Sequence, residues 1–138
     1  MEGRWRHIKV LVIEDEPDMS IFLSNLLSSN GYTTIRAYTP DEAFAIAVDL
    51  LPEIIILDVM LPAEGGIELF RRFRDDPKLC GVPVVLISAV GKKIFCHYQK
   101  CQNLKFGRRV PDPEGYLQKP LEAEELLLIV HKLCRCGA

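Results

Sequence analysis

A chain of 138 residues is about the size of one average domain, long enough to bury roughly 68% of the surface that its unfolded form exposes. Apolar residues make up 49%, charged residues 26% and the net charge is −2, so the whole-chain electrostatics favour neither nucleic acid nor a membrane surface. No apolar run approaches the roughly 18 residues that span a bilayer, Met1 to His7 carries no secretory-type stretch, and five cysteines form no even disulfide framework, which points to a reducing cytoplasm.

The first element is the apolar run Ile8-Lys9-Val10-Leu11-Val12-Ile13, which ends at Glu14-Asp15-Glu16. Pro17 then opens a helix whose stripe is Met19, Phe22, Leu23, Leu26 and Leu27, stopped at Asn30-Gly31. Thr33 to Ala37 is a weaker strand candidate. Thr39-Pro40-Asp41-Glu42 reads as a capping box with proline in the first turn, opening a helix to about Leu51. Ile54 to Leu57 is a second strong apolar run, ending at Asp58. Gly66 to Arg74 follows as a helix with Leu69, Phe70 and Phe73 inward and Arg71, Arg72 and Arg74 outward. The third strong run, Val82 to Ile87, ends at Ser88-Ala89. Ile94, Phe95, Tyr98 and Cys101 suit a short amphipathic helix, but pattern leaves Pro77 to Gly81 and Gly91 to Pro113 open. Tyr116 to Gln118 is a last, weak strand. The final helix carries the stripe Ala123, Leu126, Leu127, Val130 and Leu133, with acids leading and bases trailing as the helix dipole favours.

Continuous β-branched runs suit strands buried on both faces. Alternating with helices, they predict an α/β fold: a doubly wound, five-stranded parallel sheet with helices on both faces. In such sheets ligands bind outside the carboxyl ends of the strands. Glu14 and Asp15, Asp58, Ser88 and Lys119 all fall there. Ionised carboxylates about 4 Å apart repel by roughly 4 kcal/mol at an effective dielectric near 20. A hard divalent cation offsets that repulsion directly, and Lys119 and Ser88 complete a cradle for a phosphoryl group on a carboxylate nucleophile. Taken singly, each residue has an ordinary alternative. An aspartate after a strand caps a turn, Lys119-Pro120 ends a strand, and Tyr116 packs its ring.

The residues Glu14-Asp15-Glu16-Pro17-Asp18, Leu57-Asp58-Val59-Met60-Leu61-Pro62, Gly65-Gly66-Ile67-Glu68-Leu69, Ser88-Ala89 and Tyr116-Leu117-Gln118-Lys119-Pro120 resemble the signature of response-regulator receiver domains. The resemblance covers about residues 8–134 and implies the flavodoxin-like receiver fold. It makes residues 1–138 a single receiver domain of a two-component system. It also implies that Asp58 accepts a phosphoryl group from a histidine kinase or phosphotransfer protein. Glu14, Asp15, Asp58 and the Met60 carbonyl would hold Mg²⁺ or Mn²⁺. Ser88 would bond the phosphoryl oxygens, Lys119 would pair with Asp58, and Ser88 with Tyr116 would form the switch. The product is a phosphoprotein, not an enzyme, that assists its own phosphotransfer and dephosphorylation. A downstream effector protein or domain is the implied partner, with a phosphorylation-linked homodimer, no membrane, and no nucleic acid read through this domain.

Residues 91–114 depart from the family pattern by being longer. From Ser88 to Pro111 there is no acid, while Lys92, Lys93, Lys100, Lys105, Arg108 and Arg109 are basic. A solvated surface loop and a docking site for an acidic surface both fit. Cys96, Cys101, Cys134 and Cys136 with His97 and His131 match no common zinc spacing, and reduced thiols are the simpler reading. A dehalogenase-type phosphatase needs a second aspartate where Met60 stands, and no glycine-rich nucleotide loop follows the first strand. The remaining alternative is a receiver-like module that binds partners without phosphorylation. With the last helix running to about Cys136, the expectation is a lone receiver or one domain of a longer protein.

Overall fold

The structure is a computed structural model that describes residues 8–59 and 65–136. Five strands, β1 (Ile8–Ile13), β2 (Tyr32–Ala37), β3 (Ile54–Asp58), β4 (Val84–Ser88) and β5 (Gly115–Gln118), alternate with five helices. These are α1 (Pro17–Ser29), α2 (Pro40–Leu50), α3 (Gly65–Asp75), α4 (Lys92–Phe106) and α5 (Ala123–Cys136). The strands form one parallel sheet in the order β2-β1-β3-β4-β5. Among the described residues no helix is long and apolar enough to cross a membrane.

The two-residue period of the strands divides the core. Leu11, Ile13, Ile55, Leu57, Val84 and Leu86 face one way and pack with the buried side chains of α2, α3 and α4. Val10, Val12, Ile54, Ile56, Val85 and Ile87 face the other way, against Leu23 and Leu27 of α1 and Leu126 and Val130 of α5. Alternate residues all being apolar is what covering both faces requires, so the doubly wound expectation holds.

Local chemistry sets the boundaries. Glu16 caps α1 by accepting the Met19 N–H at 2.6 Å, and Thr39 caps α2 by accepting the Glu42 N–H at 3.2 Å. Pro83 lacks an N–H, and its carbonyl accepts from Ile55 at 2.9 Å, so β4 begins at Val84 and not at Val82. The helix left open between Gly91 and Pro113 is fifteen residues long and ends at Gly107, whose φ of +66° closes it.

Two expectations about facing are corrected. The buried face of α1 follows Ser20, Leu23, Ser24 and Leu27, while Phe22 is 43% exposed. The small serines place α1 close against the sheet and turn the larger ring outward. Arg71 and Arg74 do not face solvent. They are 6% and 8% exposed, and only Arg72 among the three is on the outside.

The cause lies in the longer segment between α4 and β5, whose backbone carbonyls need donors. Arg74 donates to the carbonyls of Val82 (3.2 Å), Asp112 (2.8 Å) and Pro111 (3.5 Å), and to Glu114 Oε1 at 2.8 Å. The same Glu114 oxygen accepts the Val84 N–H at 2.8 Å, stitching the start of β4 to the segment. Arg71 donates to Asn103 Oδ1 at 3.0 Å and to the Arg108 carbonyl at 3.2 Å, and its guanidinium lies 5.2 Å from the Phe106 ring centroid.

Removing Arg74 takes the charged donor from Glu114 and leaves the carbonyls of Val82, Pro111 and Asp112 without it. Arg74→Met is therefore expected to lower unfolding stability by about 3 kcal/mol. Arg72→Met, which loses only an exposed pair with Asp41, should cost less than about 1 kcal/mol. Urea denaturation of both variants decides the assignment, and similar losses would contradict it.

Candidate functional site

The strand order reverses between β1 and β3, which opens a crevice at their carboxyl ends. Glu14 and Asp15 leave β1 there and Asp58 ends β3 beside them. A cleft of about 210 Å³ is lined by Glu14, Asp15, Thr39, Leu57, Asp58 and Gly66, among others. Lys119 leaves β5 and reaches across, with its Nζ 2.7 Å from Asp58 Oδ2. The Asp58 side chain is 7% exposed and Lys119 36%. The contact is a charge pair and not an aligned hydrogen bond, since Asp58 Oδ2 has no hydrogen-bond partner among the described residues.

Glu14 is the more constrained acid. It is 4% exposed; Oε2 accepts the Glu16 N–H at 3.1 Å, while Oε1 is buried with no hydrogen-bond partner of good geometry among the described residues. Burial first, and the neighbouring Asp58 carboxylate second, push its pKa up to about 8. Burial pulls the Lys119 pKa down, but contact with Asp58 and the charges of Glu14 and Asp15 outweigh it and raise the ammonium above its ordinary value. Asp15 is exposed at the mouth.

Ser88 is fully buried at the end of β4, and its Oγ accepts the Val90 N–H at 3.2 Å. Its carbonyl accepts the Lys119 N–H at 2.8 Å, tying β4 to the lysine's backbone. Tyr116 is half-buried; its hydroxyl donates to the Val90 carbonyl at 2.6 Å and its ring centroid lies 5.1 Å from that of Phe95. Ser88 and Tyr116 thus meet through one residue, Val90. Burial raises the Tyr116 pKa, so the phenol stays a donor. The structure therefore gathers Glu14, Asp15, Asp58 and Lys119 around one cleft and joins Ser88 to Tyr116 beside it. Met60 lies outside the described residues.

Two contributors were not singled out from sequence. The Val90 carbonyl is backbone, which residue identity does not reveal. Gly66 is required by close approach, because a Cβ there would lie 2.7 Å from Val59 Cγ1, next to Asp58. The adjacent glycines at the start of a helix were the available signal.

Among the described residues no three His, Cys, Asp or Glu side chains form a group that could hold a metal ion by themselves. Zinc, which demands a closed set of ligands, gains no support; Cys101 Sγ instead contacts His97 Nε2 at 3.8 Å. Mg²⁺ asks for less, one or two carboxylates with the balance from water and phosphate. The orphaned Glu14 oxygen and the Asp58 carboxylate on one cleft fit such an ion.

A family model described as the response regulator receiver domain matches residues 10–131. The chain is 33% identical over 127 residues to the DNA-binding dual master transcriptional regulator RpaA of Synechocystis sp., covering 92% of this chain and 49% of that protein. It is 31% identical over 118 residues to the phosphate regulon transcriptional regulatory protein PhoB of Pseudomonas aeruginosa, covering 86% and 48%. The chain thus spans about half the length of these relatives. The receiver domain of the Francisella response regulator 1452 superposes with a TM-score of 0.75 at 27% identity, covering 96% of this chain and all (100%) of that one. The chemotaxis response regulator CheY4 of Vibrio cholerae gives 0.76 over 92% and 98%, and at 24% identity it speaks for the fold alone.

The Glu14 environment sets a pH dependence. A carboxyl whose folded pKa is raised from 4.5 to about 8 contributes stability that is complete below 4.5 and is lost as pH rises through 8. Metal-free protein is expected to gain on the order of a few kcal/mol from this group as pH falls from 8 to 5. Glu14→Gln should flatten that slope and be the more stable form at pH 8.5. Chelator-treated thermal melts across this range test it, and parallel profiles for both proteins would exclude the effect.

Proposed function

The chain belongs to the response regulator receiver domain family, and from that premise we propose that it accepts a phosphoryl group on Asp58 and relays the event through Ser88 and Tyr116. The whole of 1–138 is read as that one receiver domain. The observation that carries the reading is the nearly buried Asp58 paired with Lys119 at 2.7 Å, beside a Glu14 whose inner oxygen has no partner.

The donor is the phosphohistidine of a histidine kinase or phosphotransfer protein. An Asp58 carboxylate oxygen attacks phosphorus, an O–P bond forms as the P–N bond breaks, and the leaving imidazole takes a proton. Lys119 holds the second Asp58 oxygen before transfer and then faces the phosphoryl group, so its positive charge is used in both states. Glu14, Asp15, Asp58 and the Met60 carbonyl would hold Mg²⁺ or Mn²⁺, which supplies charge neutralisation at the phosphoryl oxygens. Ser88 is the hydroxyl for one of those oxygens. Turning to it means giving up the Val90 N–H bond, and Val90 is where Tyr116 is anchored. The protein assists its own dephosphorylation through the same groups and is not otherwise an enzyme. Its site is cytoplasmic, its output an effector protein or domain, and a phosphorylation-linked homodimer fits the same switch. A receiver-like module that works without phosphorylation is the second reading; the intact Asp58–Lys119 pair favours the first.

Incubation with Mg²⁺ and acetyl phosphate is expected to add one phosphoryl group, seen by intact mass. Asp58→Asn should abolish the addition, and Asp15→Asn should weaken Mg²⁺ binding more than Glu14→Gln does. Undiminished labelling of Asp58→Asn would sink the assignment. For the switch, hydrogen exchange with and without a phosphoryl mimic is expected to change across residues 88–118, with a coupling of about 1–3 kcal/mol. Changes confined to the neighbourhood of Asp58 and Asp15 would mean that phosphate binds without switching.

A further inference from the structure

The longer segment between α4 and β5 does more than connect them. With one face of α4 it encloses a cleft of about 810 Å³, against about 210 Å³ at Asp58. Cys96, Gln99, Asn103 and Leu104 line it from the helix, and Arg108, Arg109 and Asp112 from the segment. Its size falls in the range of small-molecule sites, roughly 300–1,000 Å³. It is also preformed, because Asn103 is fixed by Arg71 at 3.0 Å and by the Val110 N–H at 3.2 Å.

Gln99 is the anomaly. It is 2% exposed, and neither its Oε1 nor its Nε2 has a hydrogen-bond partner among the described residues. A buried carboxamide with both ends unmade costs stability, and here it sits at the wall of an open cleft. It offers one acceptor and a donor side by side. The rim is cationic. Lys100 and Arg109 are exposed and carry no ion pair among the described residues, while Arg108 is taken by Asp75 at 2.7 Å. Asp112 is the one acidic side chain on the lining. Leu104, 84% exposed, supplies an apolar wall that nothing in the fold covers.

We propose that this cleft binds a small organic anion: an apolar body seated against Leu104 and Cys96, hydrogen-bonded to Gln99, with a carboxylate or phosphate group held by Lys100 and Arg109. Apolar surface, an unmade donor–acceptor pair and two free cations are together what such a ligand supplies in complement. The proposal does not depend on the phosphoacceptor reading, since the cleft is built from other residues.

The test is an NMR titration of the whole chain with 4-phenylbutyrate and with phenyl phosphate, which separate a carboxylate head from a phosphate one. Butyrate and inorganic phosphate serve as controls that lack the aromatic body. At least one aromatic anion should shift the Gln99 side-chain amide and the backbone of residues 96–109, binding about tenfold tighter than its control. Gln99→Leu should weaken that binding about tenfold and yet melt at a higher temperature without ligand, because the unmade carboxamide is gone. Arg109→Gln should weaken it several-fold and serves if the first variant does not fold. Neither aromatic anion binding more tightly than its control, shifts limited to Lys100 and Arg109, unchanged affinity in Gln99→Leu, or no shifts with either aromatic anion would each overturn the proposal.

Discussion

A parallel sheet delivers the carboxyl ends of all its strands to one edge, and in this chain that edge collects charge. Glu14, Asp15 and Asp58 are brought together by strand order, not by any attraction between them. Like charges gathered in a partly buried cleft oppose folding, and the structure relieves them in two visible ways. Lys119 pairs with Asp58, and Glu14 favours its protonated form. The second relief is conditional. It is lost whenever Glu14 ionises, so the cleft is balanced for one added positive charge.

The same edge ties β4 and β5 to the start of α4. Ser88 closes β4 with a side-chain bond to the Val90 N–H, and Tyr116 bonds the carbonyl of that residue. Ser88 and Tyr116 are therefore joined at the start of α4 through a single residue, Val90. Elements joined by few bonds of this kind are where local stability is lowest and where two arrangements coexist most readily.

Beyond that point the segment is held firmly. Arg71 and Arg74 of α3 supply donors to four backbone carbonyls, three of them in the longer stretch, as well as to Asn103 and Glu114. Side-chain donors take the place of regular secondary structure, so the extra residues are ordered without adding a strand. That frame holds the carboxyl end of α4, and the cleft containing Gln99 lies along the helix.

The sequence alone determined the strong strands, because β1, β3 and β4 are buried on both faces and burial of that kind demands unbroken apolar runs. It determined the positions of Glu14, Asp15, Asp58, Ser88 and Lys119 as well, since a residue following a strand in a parallel sheet has one end to occupy. Only the tertiary structure decided what depends on partners distant in sequence. α4 buries Phe95 and Gln99 fully and leaves Ile94 and Leu104 exposed, so the stripe Ile94, Phe95, Tyr98 and Cys101 announced a helix but not its length or its buried face. Arg71 and Arg74 look like surface residues until the carbonyls of residues 108–112 are beside them. Phe22 loses the inner face of α1 to Ser20 and Ser24 because closeness to the sheet, and not hydrophobicity, fixes that face. Pattern reports how much of an element is buried; which polar groups are buried with it is set by the donors and acceptors that folding brings into reach.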